Sequence, residues 1–123
     1  MKPGRTGIAR IYHAFFYSMQ GLAAALKHEA AFRQELFLFV VLMPLIFWLT
    51  SNPIHWMILI GSMFIVLIAE IANSAIEAVV DRFGGDMHEL SGRAKDMGSA
   101  AVFLAMLNVV VMWVIVLYQV YFE

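Results

Sequence analysis

Three apolar stretches decide what this chain can fold into. Leu36 to Leu49 carries no charged side chain, Ile54 to Ala69 has no Asp, Glu, Lys or Arg, and Met97 to Tyr121 lacks these and histidine too. The chain has 123 residues, 63% of them hydrophobic, and a mean hydropathy of +0.81. A water-soluble domain of this size has too little interior for that much apolar surface, so the natural solvent is a bilayer. The reading is an all-α membrane protein of three transmembrane helices, forming one domain over residues 1–123.

The spans are expected at about 30–50, 54–80 and 97–121. The first has a short uncharged core for a bilayer about 30 Å thick, so Arg33 and Glu35 must come to the interface. Pro44 is expected to kink it, as membrane helices tolerate. Thr50-Ser51-Asn52-Pro53 reads as a tight turn, with Pro53 suited to a helix start. Before the first span, residues 7–28 repeat apolar groups at helical spacing: Ile8, Ile11, Tyr12, Phe15, Met19, Leu22 and Leu26. Arg10, His13, Tyr17, Gln20 and Lys27 fall on the other side. That pattern describes an amphipathic surface helix lying on the membrane, or one packed on the protein's own bundle. The polar segment His88 to Asp96 separates the second span from the third.

The basic residues orient the chain. All eight lie either at the N-terminus (Lys2, Arg5, Arg10, Lys27, Arg33) or in the second loop region (Arg82, Arg93, Lys95). By the positive-inside rule these segments are cytoplasmic and the C-terminus is periplasmic. Trp48, Trp56 and Trp113 then fall at or near the opposite interface, as an aromatic belt.

Several classes of function are excluded. There is no cysteine, hence no disulfide or thiolate chemistry. The net charge of -1 gives no footing for a nucleic-acid partner. The basic first residues are followed by no apolar core with a small-residue cleavage site, so no signal peptide is read. No GxxxxGK[ST] loop and no protein-kinase signature occurs.

One constellation carries chemistry. Glu70, Asn73, Ser74, Glu77 and Asp81 share one face of the second span, within roughly 100° of arc. Glu70 is expected at or just inside the membrane boundary, where an ionisable group is costly and by default functional. For Asp81 a solvated helix face suffices. Carboxylates at Glu29 and Glu77 suit a hard cation such as Mg²⁺, and Lys95 and Arg10 suit phosphate. Together these resemble the needs of phosphoryl transfer: a metal, cationic clamps and a base for a hydroxyl nucleophile. The residues alone lead to an acidic, metal-compatible site at the cytoplasmic interface and to no particular substrate.

The run Glu70-Ile-Ala-Asn-Ser-Ala-Ile-Glu-Ala-Val-Val-Asp81, followed by His88-Glu-Leu-Ser-Gly-Arg-Ala-Lys-Asp-Met-Gly-Ser-Ala-Ala101, closely resembles the prokaryotic integral-membrane diacylglycerol kinases. Glu29-Ala-Ala-Phe-Arg-Gln-Glu35 resembles that family's segment before the first span. The resemblance implies a homotrimeric helical bundle with active sites shared between subunits, in a bacterial cytoplasmic (inner) membrane. It implies transfer of the γ-phosphate of MgATP to the hydroxyl of diacylglycerol, giving phosphatidic acid. Carried over by motif position, Glu70 is the general base and Asn73 positions the reacting groups. Glu29 and Glu77 hold metal bridging the ATP phosphates. Arg10, Tyr17, Asp86, His88, Lys95 and Asp96 complete the nucleotide contacts. Arg10, Ser18, Arg33, Glu35, Glu70 and Ser99 meet the polar part of the lipid, while Phe15, Met19, Ala23 and Leu26 meet its acyl chains. Trp48 and Trp113 join this last group or serve as interface anchors.

Three other readings compete. Undecaprenol kinase shares the fold and chemistry, although Ser91-Gly-Arg-Ala-Lys-Asp-Met-Gly-Ser99 resembles the diacylglycerol type more closely. A small proton or ion carrier with Glu70 as its relay would need polar groups at several depths, and the spans show mainly Asn108. A structural partner of a larger complex leaves the clustered carboxylates without a role.

Overall fold

A computed structural model describes residues 6–84 and 88–123, all statements below referring to these. Four helices follow one another: α1 Gly7–His28, α2 Ala30–Leu49, α3 Pro53–Arg82 and α4 Glu89–Phe122. No strand occurs among the described residues. Helices α2, α3 and α4 are each long and apolar enough to cross a membrane. Backbone groups in hydrocarbon must be satisfied within their own segment, which a continuous helix does.

The breaks between helices have local causes. Glu29 alone separates α1 from α2, in an extended conformation with φ -115° and ψ 105°. Arg33 reaches back across this corner and donates to the carbonyls of Leu26 at 2.8 Å and Lys27 at 3.1 Å. It thereby fills orphan acceptors at the end of α1, where a positive charge also suits the helix dipole. The turn before α3 is as expected: Asn52 Oδ1 accepts from the Ile54 backbone N–H at 3.0 Å, and Pro53 occupies the first helical position. Helix α2 runs uninterrupted through Pro44.

Helix α4 is longer than the expected span. It begins at Glu89 because His88 Nδ1 accepts from the Leu90 backbone N–H at 3.0 Å, capping the N-terminus within the polar segment. The bilayer sets the extent of a span, whereas a cap sets the start of a helix.

Packing is sparse, as lipid solvent allows. Ile46 of α2, Leu59 of α3 and Val116 of α4 are fully buried and tie the three spans together near the α2–α3 turn. Phe39 and Phe64 meet edge to face with centroids 4.9 Å apart. At the α2–α3 turn lies a polar knot that no single-helix pattern discloses. His55 is buried, its Nδ1 2.9 Å from Thr50 Oγ1 and its Nε2 2.9 Å from Gln119 Oε1. A neutral imidazole protonated at Nε2 satisfies both, accepting from Thr50 and donating to Gln119. Trp56 Nε1 donates to the Thr50 carbonyl at 2.8 Å, closing the corner. Outward faces, among them Phe37, Val40, Phe103, Leu104 and Val110, are exposed apolar surface.

Helix length places the other end. The 30 residues of α3 span about 45 Å at 1.5 Å each, against a hydrocarbon layer about 30 Å thick. Starting from Pro53, the boundary is reached after about 20 residues, close to Glu70. The last turns of α3 therefore project beyond the bilayer, and the first turns of α4 run beside them.

Candidate active site

The acidic face of α3 forms a gradient of exposure. Glu70 is only 7% exposed; Asn73, Ser74 and Glu77 are half-buried; Asp81 is exposed. Helical spacing lays these groups in a row, and the neighbouring helices decide how deep each sits. Glu35 of α2 is half-buried with its carboxyl facing that of Glu70. Its Oε2 is buried and has no hydrogen-bond partner among the described residues. The same side chain stands at the polar end of an apolar cavity of about 130 Å³, lined also by Leu38, Phe39, Leu42, Met63, Val66 and Met106. The pair thus sits where apolar interior meets the polar stripe.

One turn beyond Glu70, Asn73 Nδ2 donates to Glu77 Oε1 at 3.2 Å. A carboxylate accepts only, so the amide must turn its NH₂ toward Glu77. Two turns beyond Asn73, Asp81 Oδ1 accepts from Lys95 Nζ of α4 at 3.0 Å. Asp81, expected as a merely solvated face, is thus the partner of a cation assigned to phosphate.

The remaining expected residues have these places. Glu29 caps the start of α2 by position and is half-buried, with no side-chain capping bond. Arg33 is engaged with the end of α1, so its guanidinium already has carbonyl partners. His88 is the N-cap of α4, its Nδ1 in use. Asp96 and Ser99 are exposed on α4, and Arg10 and Tyr17 are exposed on α1. Ser18 donates to the Ala14 carbonyl at 2.9 Å within α1. Phe15, Met19, Ala23 and Leu26 are exposed along α1, as is Trp48 at the end of α2. Trp113 is half-buried beside a second apolar groove with Leu42, Val109 and Leu117. Asp86 lies outside the described residues.

Among the described residues, no three His, Asp or Glu side chains converge tightly enough to hold a metal by themselves. Glu77 nonetheless offers what Mg²⁺ takes: carboxylate oxygens, one of them oriented by Asn73. Mg²⁺ sites of this kind use one or two carboxylates and draw their other ligands from water and substrate phosphate. The donor set fits such an ion.

Chemically, the cluster joins a deep carboxyl at the apolar boundary to a shallower carboxylate suited to a metal, with an ammonium group on the polar side. The model of the prokaryotic diacylglycerol kinase family matches residues 16–117. Diacylglycerol kinase of Escherichia coli strain K12 is 51% identical over 119 residues, 97% of this chain and 98% of its own. The Haemophilus influenzae diacylglycerol kinase is 48% identical over 108 residues, covering 88% and 92%, and that of Pseudomonas aeruginosa 46% over 114 residues, covering 93% of each.

Proposed function

The chain belongs to the prokaryotic diacylglycerol kinase family, and on that premise we propose that it transfers the γ-phosphate of MgATP to the free hydroxyl of diacylglycerol. The product is phosphatidic acid. The observation that carries the reading is the depth order on α3, with Glu70 buried at the boundary and Glu77 half-buried beyond it. The lipid hydroxyl arrives from the bilayer and the nucleotide from water, so each carboxyl meets the substrate on its own side.

In this mechanism Glu70 accepts the hydroxyl proton as the lipid oxygen attacks the γ-phosphorus. The bond from that phosphorus to the β-phosphate oxygen breaks and ADP leaves. Bound Mg²⁺ would neutralise charge developing on the phosphate oxygens; Glu29 and Glu77 would hold it, with Asn73 keeping Glu77 in place. Lys95, Arg10 and Tyr17 serve the phosphates, and Asp86, His88 and Asp96 the rest of the nucleotide. The apolar cavity ending at Glu35 and the exposed apolar side of α1 are surfaces along which acyl chains reach Glu70, with Ser18, Arg33 and Ser99 near the polar head.

The protein is a multi-pass membrane protein. We place it in a bacterial inner membrane with the acidic ends of α3 and α4 and the N-terminus in the cytoplasm, where ATP is, in line with the basic residues. A homotrimer with sites shared between subunits completes the proposal. One chain offers two carboxylates for the metal and leaves most of its span surface uncovered.

A lipid phosphorylation assay in detergent micelles tests the function. With MgATP, the purified protein is expected to convert diacylglycerol to phosphatidic acid. Phosphorylation of undecaprenol alone would replace diacylglycerol with a polyprenol, and no phosphorylation of either lipid would end the kinase reading.

A further inference from the structure

Gly98 is buried in the first third of α4, with no positive φ to require a glycine there. Alanine is the better helix former, so the reason for glycine lies in what surrounds it. A Cβ on Gly98 would collide with Asn73 Oδ1 of α3, and would also touch Asn73 Cγ and Ile76 Cδ1 at 3.4 and 3.5 Å. By contrast, a Cβ added at Gly61, in the apolar half of α3, meets nothing within 4 Å. Asn73 Oδ1 is itself buried and has no hydrogen-bond partner among the described residues. That orientation is forced from the other end of the amide, because Nδ2 must face the acceptor-only Glu77 carboxylate. The oxygen then has one place to go, the notch left by the absent side chain of residue 98. Small residues in membrane helices allow this kind of close approach.

We infer that Gly98 is a positioning residue for the phosphoryl-transfer site: its missing side chain lets Asn73 lie flat between α3 and α4 and so holds Glu77 in the orientation that receives metal. A methyl group at position 98 pushes the amide aside. It breaks or bends the bond to Glu77 without touching substrate or removing a ligand. The inference rests on the reading of Glu77 as a metal ligand.

The test is a double-mutant cycle on the full-length protein in mixed micelles, reading the free Mg²⁺ required for half-maximal phosphorylation and, by titration, the affinity for MgATP. Gly98→Ala is expected to raise the Mg²⁺ requirement roughly fivefold, with oligomer size and helicity unchanged. Gly61→Ala is the matched control and is expected to leave the requirement as it is. In an Asn73→Ala background the methyl at 98 has nothing to displace, and adding Gly98→Ala is expected to change MgATP affinity less than about twofold. A Gly98→Ala protein that behaves like Gly61→Ala overturns the inference. So does an equal effect of Gly98→Ala with and without Asn73, which would be bulk packing alone. If Gly98→Ala does not assemble, assembly of the double variant supports the contact, and failure of both overturns it. Glu77→Gln in the same titration separates the two readings. An unchanged Mg²⁺ requirement there removes the metal role of Glu77 and this inference with it, whereas a raised requirement there with none at Gly98 removes this inference alone.

Discussion

Lys95 Nζ donates to Asp81 Oδ1 at 3.0 Å, joining α4 to the last turns of α3 beyond the bilayer boundary. The pair is part-exposed, and such pairs contribute about 0–1 kcal/mol to stability. Its consequence lies in the site. Asp81 sets a negative charge against the cation proposed to receive phosphate, and near a polyanionic nucleotide a negative charge is repulsive. Asp81→Asn should therefore lower the KM for MgATP by roughly two- to fivefold, about 0.4–1 kcal/mol, with kcat and melting temperature nearly unchanged. Lys95→Ala should raise it. If Asp81→Asn weakens MgATP as much as Lys95→Ala does, Asp81 aims the lysine and does not compete for it.

The metal assignment is tested by removing charge while keeping shape. Glu29→Gln and Glu77→Gln should each assemble normally and lose most activity at ordinary Mg²⁺, with partial recovery when Mg²⁺ is raised. Isothermal titration with Mg²⁺ and a non-hydrolysable nucleotide provides the check independent of turnover. Near-normal activity of both variants at low Mg²⁺ would show a solvated pair.

Far from this site, His55 should matter for stability and not for chemistry. Its ring joins Thr50 to Gln119 at 2.9 Å on each side, with Trp56 closing the corner. His55→Phe fills the space but removes the ring's bonds to the Thr50 hydroxyl and the Gln119 amide, a loss of about 0.5–1.5 kcal/mol for each bond. Thermal unfolding in detergent should show it, while kcat at a permissive temperature stays normal. An activity loss with unchanged stability would tie this end of the bundle to the reaction.

What the chain discloses by sequence and what it conceals divide along physical lines. Features within one helix were legible: the apolar spans, the Asn52-Pro53 helix start, and the row from Glu70 to Asp81. Each depends on spacing along a single element. Contacts between helices were not. Lys95 and Asp81 meet only because α4 runs back beside α3, and Glu35 faces Glu70 only through the register of α2 on α3. The notch at Gly98 has no signature within α4, because the side chain that fills it, Asn73, belongs to α3. The start of α4 was hidden for another reason. A polar segment reads as a loop until a capping side chain, here His88, is seen to begin a helix in it.

A site divided between subunits makes a prediction that a self-contained one does not. Glu70→Gln and Glu77→Gln chains, each inactive alone, should regain activity when unfolded together and reassembled, provided the two carboxyls of one site come from different chains. Measured activity should follow the mixing ratio and vanish at either extreme. Well-mixed oligomers with no rescue would place both carboxyls of a site in one chain, as their common helix face permits.

Glu70 itself gives the sharpest test. It is the deepest carboxyl of the row, one turn before Asn73 and two before Glu77, and in the proposed mechanism it takes the proton of the lipid hydroxyl. Glu70→Gln keeps the size of the side chain and its capacity to hydrogen-bond, but the amide cannot take a proton. General-base assistance is worth about 10²- to 10⁴-fold, so kcat should fall by that factor. Apparent affinities for MgATP and diacylglycerol should change little, because the lost interaction belongs to the transition state. The opposite split, with MgATP binding weakened and kcat spared at saturation, would move Glu70 from the lipid side of the site to the nucleotide side. Depth on α3 would then no longer order the two substrates, and another group would have to take the hydroxyl proton.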